Sequence, residues 1–193
     1  IYQRHETGAA ELERLMILLG AEAGEARVRV DALTDWIDTD GGGGRILADD
    51  RPYLGGTGAY LTAGEPLAEV SELRAISGFS DALYRRLRPF VCAHPRVGPS
   101  LLDINGLTLE QAPVLSAVSA GALDLAAARG LIASRPVEGW PTTEAFLAAP
   151  ALREIETPPA FASRLATAPD VLALRVQVNH LDAEAVMTDT LLW

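Results

Sequence analysis

At 193 residues, with 49% hydrophobic and 22% charged side chains, the chain can bury a core as one large domain or two small ones, which argues against disorder and fibrous repeats. Its 16 basic against 26 acidic residues leave a net charge of −10 and a pI near 4.7, which disfavours bulk nucleic-acid binding or a basic membrane-surface role. Every basic residue is arginine, and the lone Cys92 has no partner for an internal disulfide.

Leu12, Leu15, Met16 and Leu19 recur at helical spacing and end at Gly20, predicting a first helix. The run from Arg27 to Trp36 predicts a second, with Val30, Leu33 and Ile37 on one face. Residues 38–66 then break the pattern with four consecutive glycines, Gly41 to Gly44, and a second glycine-rich patch at 55–58. A structureless loop of that length inside a compact domain is uncommon and usually functional. Glu69–Ile76 predicts a short helix stopped by Gly78, and Ser80 predicts an N-cap for a helix running to about Pro89. Thr108 and Gln111 form a capping box ahead of Val114, Leu115 and Val118. Asp124–Ser134 is alanine-rich and helical, and Thr142 or Thr143 caps a short piece holding Phe146 and Leu147. Leu172, Leu174, Val176 and Val178 alternate with Ala173, Arg175 and Gln177, a strand pattern; Ala185–Trp193 reads as its antiparallel mate. Such a hairpin is marginal alone and needs a sheet or a helix beneath it.

No apolar stretch approaches the roughly 20 residues that cross a bilayer. The chain begins at Ile1 without an initiator methionine, and the expectation is a fragment of a longer protein.

The acidic loop is the strongest chemical feature. Asp38 and Asp40 stand on alternate residues after a helix, and Asp49 and Asp50 follow across the glycines. Calcium takes six to eight oxygens in loose geometry, which such loops deliver. On the EF-hand template Asp38, Asp40, Gly43 and Asp49 fall at positions 1, 3, 6 and 12, but Gly42 lacks the oxygen due at 5 and Asp replaces the usual Glu at 12. An irregular Ca²⁺ loop and a solvated acidic loop both remain open; Asp35, at a helix end, is a weaker ligand candidate. His5, His94 and His180 have no zinc spacing, and no nucleophile elbow or phosphate loop is present, so the reading is non-enzymatic. Cys92 reads as a small buried hydrophobe. Residues 72–96, with an excess of three positive charges, resemble half of a helix-hairpin-helix; a DNA module using Arg74, Arg85, Arg86 and Arg88 is the competing function.

The order of motifs carries more than any one of them. Leu33-Thr34-Asp35-Trp36-Ile37-Asp38-Thr39-Asp40 resembles the L-x-D-W-I-D-x-D signature of the minor pseudopilin K family of bacterial type II secretion. Ala48-Asp49-Asp50-Arg51-Pro52-Tyr53 stands where that family has Gly-Ala-Glu-Asp-x-x-Tyr, with Leu47 for the Gly and Asp49 for the Glu. Ser71-Glu72-Leu73-Arg74-Ala75-Ile76-Ser77-Gly78-Phe79 is similar to its S-E-L-R-x-I-x-G-F. Arg88-Pro89-Phe90 and Asp103-Ile104-Asn105-Gly106 resemble its L-P-Y/F and N-V-N-T-A segments, the last with Asp103 for the first Asn and Gly106-Leu107 for Thr-Ala.

The resemblance implies an α+β fold: a helical insertion domain over 1–164 with helix-hairpin-helix or SAM-like packing, then the antiparallel strands of a pilin-like sheet over 165–193. It implies an N-terminal helix, missing here, that anchors the parent in the inner membrane and leaves this part in the periplasm. It implies a place at the pseudopilus tip with minor pseudopilins I and J, possible contact with exported proteins, and no nucleic acid. It also implies one or two structural Ca²⁺ ions held by Asp38, Asp40, Asp49 and Asp50, with Asp35 weaker.

Overall fold

A computed structural model describes residues 6–38, 50–55, 59–94, 100–153, 155–180 and 183–192. Eight α-helices and four strands follow in chain order among them. The first two helices are α1 (Glu6–Leu18) and α2 (Ala23–Ile37). Gly20 at φ +90° closes α1: its N–H donates to Ile17 O at 2.9 Å and the Ala21 N–H to Met16 O at 2.9 Å, the paired bonds of a Schellman turn. The Glu22 carboxylate accepts from Glu25 N at 3.0 Å and opens α2 four residues before Arg27. The backbone amides of Gly24 and Glu25 hold that carboxyl below its ordinary range.

The Glu69–Ile76 stretch forms a 3-10 helix, Val70–Ala75, where an α-helix was expected. Glu72 Oε1 accepts from Ala68 N and Glu69 N, both at 2.8 Å, which tightens the turn around a capping box. Ser80 caps α3 (Asp81–Leu87), accepting from Leu83 N at 3.2 Å. Strand β1 is Leu102–Asp103. The Thr108/Gln111 box opens a 3-10 turn, Leu109–Gln111, that passes into α4 (Ala112–Val118). Asp124 caps α5 (Leu125–Ala133), and Thr142 caps α6 (Thr143–Leu147). Two short helices, α7 (Pro150–Arg153) and α8 (Pro159–Ala162), lead to β2 (Leu165–Ala166). The chain ends in β3 (Val171–His180) and β4 (Ala183–Leu192).

Packing divides the helices between two apolar cores. The first gathers Leu15 and Met16 of α1, Val30, Leu33, Trp36 and Ile37 of α2, and Leu73, Phe79, Leu83 and Leu87. The second gathers Ile104, Leu107, Leu115, Leu123, Leu131, Phe146 and Phe161, among others. Helix α4 belongs to both, giving Ala117 and Val114 to the first and Ala112 and Leu115 to the second. Each such buried Leu or Phe contributes about 1.5–3 kcal/mol. An ion pair joins the halves: Arg164 Nη1 lies 2.6 Å from Glu11 Oε1, and both side chains are largely buried.

β1 and β2 pair in parallel, Leu102 with Leu165 and Asp103 with Ala166. Leu165 also sits in the second core. β3 and β4 form an antiparallel hairpin in register from Val171↔Leu192 to His180↔Ala183. The strand alternation at 172–178 thus marks a real strand, longer than its apolar pattern.

Cys92 is exposed, contrary to the buried position expected of it. It follows α3 outside any helix or strand, between the half-buried Val91 and Ala93.

Candidate functional site

The site is built where α2 ends. Trp36 O accepts from Gly64 N at 2.9 Å, which draws residues 62–64 against the C-terminus of α2. Gly64 has φ +60°, and a Cβ there would stand 3.6 Å from Asp38 O. Two residues earlier, Thr62 grips Asp50: its N–H and its hydroxyl donate to Asp50 Oδ1 at 2.8 and 2.9 Å. Asp50 is only 2% exposed. A buried carboxylate is tolerated only when hydrogen-bonded or paired, and Thr62 supplies two donors. The 62–64 segment therefore brings Asp38, at the C-cap of α2, and Asp50 to one side of the fold.

Three aromatic rings support this corner. Trp36 meets Tyr53 edge-on at 5.3 Å and Tyr60 at 6.0 Å, and the two tyrosines lie 5.3 Å apart. Tyr60 OH donates to Ala75 O at 2.8 Å, and Tyr53 OH accepts from Ser77 N at 3.3 Å. Burial pushes the Tyr53 phenol above its ordinary range, and the Asp35 charge adds to the shift. Residues 50–55, expected in a structureless loop, instead make a 3-10 turn (Arg51–Tyr53) with Tyr53 buried. Trp36 Nε1 is buried and has no hydrogen-bond partner among the described residues.

Of the five acidic candidates, Asp38 and Asp50 both border the 62–64 segment, Asp38 by its carbonyl beside Gly64 and Asp50 by its bonds to Thr62. Asp35 is exposed, and its charge acts on the Tyr53 phenol. Asp40 and Asp49 lie outside the described residues. Among the described residues no three His, Cys, Asp or Glu side chains group as a metal site. The four aspartates are all-oxygen donors, which suits a hard cation such as Ca²⁺ and not a thiophilic metal. The sequence reading missed Thr62, Gly64 and Tyr60. Their partners lie 12 or more residues away, and no local pattern marks them.

Arg74, Arg85, Arg86 and Arg88, the residues of the competing DNA reading, are all exposed, and the first three also make contacts within the fold. Arg74 lies over the Tyr84 ring at 5.1 Å, Arg85 Nε donates to Asp81 O at 3.2 Å, and Arg86 Nη2 donates to Leu19 O at 2.8 Å. The carbonyl of Gly78 is taken by Arg29 Nε at 2.9 Å. These groups serve the packing of α1, α2 and α3.

Further along, the Asp103-Ile104-Asn105-Gly106 segment is a structural knot. Asp103 Oδ1 accepts from Asn105 N at 2.9 Å, a bond an asparagine at 103 would also make. Asn105 Nδ2 donates to Trp140 O at 3.1 Å and Thr167 O at 3.0 Å, while Oδ1 accepts from Trp140 N at 2.7 Å.

The fold and this corner define a helical protein with two cores sharing one helix, finished by a two-stranded hairpin and carrying an acidic, aromatic-backed loop. Two family models match it, both described as type II secretion system (T2SS), protein K, over residues 2–96 and 102–168. Type II secretion system protein K of Klebsiella pneumoniae is 39% identical over 146 residues, covering 75% of this chain and 44% of that protein. The Pseudomonas aeruginosa protein of the same name is 34% identical over 137 residues, covering 70% and 39%. Among solved structures, a chain of the GspK-GspI-GspJ complex from the enterotoxigenic Escherichia coli type 2 secretion system matches with a TM-score of 0.81 at 27% identity, covering 96% of this chain and 64% of that one. The chain belongs to the type II secretion system protein K family. It spans about two fifths of the length of these relatives. No helix of the described residues is long and apolar enough to cross a membrane.

Proposed function

We propose that this chain is the periplasmic part of a minor pseudopilin that sits at the tip of the type II pseudopilus and starts its assembly with minor pseudopilins I and J. The observation that carries the reading is the match of 96% of the chain to a protein solved in complex with GspI and GspJ. Family membership supports the same role in protein export. The parent is a single-pass inner-membrane protein whose N-terminal helix precedes residue 1. Residues 1–164 are then a helical insertion of helix-hairpin-helix or SAM-like packing. Residues 165–193 return to a pilin-like sheet, which gives a hairpin that is marginal alone its missing neighbours. A filament that grows by stacking subunits leaves room for so large an insertion only where no subunit sits above. Exported proteins would meet the filament at that same end.

The test is assembly. Mixed with the periplasmic parts of minor pseudopilins I and J, the chain is expected to co-elute with them as one complex in size-exclusion chromatography. Separate elution of all three at micromolar concentration refutes the reading.

The acidic corner is proposed to hold one or two structural Ca²⁺ ions through Asp38, Asp40, Asp49 and Asp50, with Asp35 as a weaker ligand. Asp50, held by Thr62 two residues before the glycine that lies against the Asp38 carbonyl, supports this, as does the all-oxygen donor set. Bound calcium would neutralise these carboxylates and tie the loop to the end of α2. It should stabilise the folded state by mass action, by about 2.7 kcal/mol at a hundredfold excess over Kd, and so raise the melting temperature. Asp38→Ala and Asp40→Ala should abolish that shift and Asp182→Ala should not; an identical wild-type melt in Ca²⁺ and in EGTA refutes the ion.

A further inference from the structure

Among the described residues β3 packs chiefly on β4, Leu172 and Val178 are 41% and 56% exposed, and Val171 and Val176 are half-buried. The hairpin's packing on itself leaves its direction to be set where it joins the rest of the chain. What leads into it is the short run from Arg164 to Asp170, and that run is tied at three points to three distant parts of the chain. Arg164 is 8% exposed; its Nη1 reaches Glu11 of α1 at 2.6 Å, and its Nε donates to Ser100 O at 3.0 Å. Its own carbonyl accepts from Leu102 N at 2.7 Å, so side chain and backbone both hold the stretch 100–102. Three residues on, Thr167 O accepts from Asn105 Nδ2 at 3.0 Å, and the other bonds of that amide run to Trp140. Three residues further, Asp170 Oδ2 lies 3.5 Å from His94 Nε2, immediately before β3 begins. The parallel pairing of Leu165 and Ala166 with Leu102 and Asp103 fills the gap between the first two ties.

We infer that Arg164, Asn105 and the His94–Asp170 pair form a polar clamp at the root of the hairpin that holds it at one fixed angle to the helical region. The spacing supports this. Anchors at 164, 167 and 170 stand three residues apart on either side of the two-residue strand β2, and they reach Glu11, Asn105 and His94 in turn. Arg164 does most, because its guanidinium is nearly enclosed and its counter-charge sits on α1. A strand pair fixed at its root can present its edges in one orientation without a core beneath it. The helical region then rides at a set position relative to whatever strands complete the sheet. The clamp is a property of this chain's own geometry and stands whether or not the tip assignment holds.

The test is a distance between two spin labels, at Val28→Cys on α2 and Val178→Cys on β3, both exposed, in a Cys92→Ser background. With the clamp intact, double electron–electron resonance is expected to show a single narrow distance peak. Glu11→Gln combined with Asp170→Ala is expected to lose that peak in favour of a broad distribution, while far-UV circular dichroism stays unchanged. Asn105→Ala gives a second, independent route to the same broadening should the first variant unfold. Glu25→Gln, which touches only the surface pair Arg29–Glu25, should leave the peak in place. A broad distribution in the clamp-intact protein overturns the inference, as does a narrow peak that survives in folded clamp variants.

Discussion

Replacing Thr62 with valine tests the acidic corner most directly. Valine keeps the shape and the backbone N–H that donates to Asp50 Oδ1 at 2.8 Å, but deletes the hydroxyl that donates at 2.9 Å. Asp50 is 2% exposed, so water is poorly placed to replace the lost donor. Hydrogen bonds to a charged acceptor contribute about 1.5–3 kcal/mol each, and that is the expected loss. For a chain of this length each kcal/mol moves Tm by about 2–4 °C, which puts Thr62→Val about 3–12 °C below wild type in a calcium-free melt. Thr62→Ser keeps the hydroxyl and gives up one methyl group, about 0.8 kcal/mol if it were fully buried. The order wild type, serine, valine is the signature. Differential scanning calorimetry in EGTA and then in Ca²⁺ reads both parts: if Asp50 is a ligand, valine also shrinks the calcium-dependent rise and serine preserves it. A valine variant melting within about 1 °C of wild type sinks the argument, since a bond of that class cannot be lost so cheaply from a buried carboxylate.

Ala120 has φ +57° at the position after the Ser119 cap of α4, where Gly121 N donates to Ser116 O at 3.0 Å. Left-handed backbone strains a Cβ by about 1–2 kcal/mol, and glycine returns part of that to unfolded-chain entropy, so Ala120→Gly should stabilise by about 0.5–1 kcal/mol in urea unfolding. Asn105→Asp should cost about 2–3 kcal/mol, because a carboxylate oxygen replaces the amide that donates to Trp140 O and Thr167 O. Part of that loss should return on acidification, when the protonated acid can donate again; a pH-independent deficit would contradict the amide orientation. Tyr53, with its phenol pushed up by burial, should ionise later than an ordinary tyrosine in an alkaline titration, and Tyr53→Phe should remove that late step. The raised folded value makes its contribution to stability complete below the ordinary tyrosine pKa of about 10 and lost as pH rises through the folded one.

Much of the helical framework is local and therefore readable. Ser80, Asp124, Thr142 and the Thr108/Gln111 box each act on amides within three residues, and the structure shows each of them at work. The alternating apolar residues at 172–178 likewise announce a strand. What escaped depends on partners far along the chain. The β1–β2 ladder joins residue 102 to residue 165, and the Glu11–Arg164 pair spans 153 positions; neither leaves a periodic trace. Helices α7 and α8 have four residues each, too few for any period to emerge. At the acidic corner the carboxylates stood out by composition alone. The residues that shape it did not, because Thr62 and Tyr60 acquire meaning only once the chain folds back on α2. The buried place expected for Cys92 failed for a related reason: it lies outside any helix or strand, so no local period sets which way its side chain faces.

Helix α4 has a consequence for how the molecule comes apart. The two family matches, 2–96 and 102–168, fall nearly on the two cores, and a cut near residue 100 looks like a natural way to isolate each half. Yet the cut would strip Val114 and Ala117 from the α1–α2 side and leave Glu11 without Arg164. The first half would open its apolar face to water, and the second would carry a buried guanidinium without its counter-charge. The two halves are recognisable in sequence as separate modules but are thermodynamically one unit. They should melt in a single cooperative transition, and neither should survive as a stable fragment.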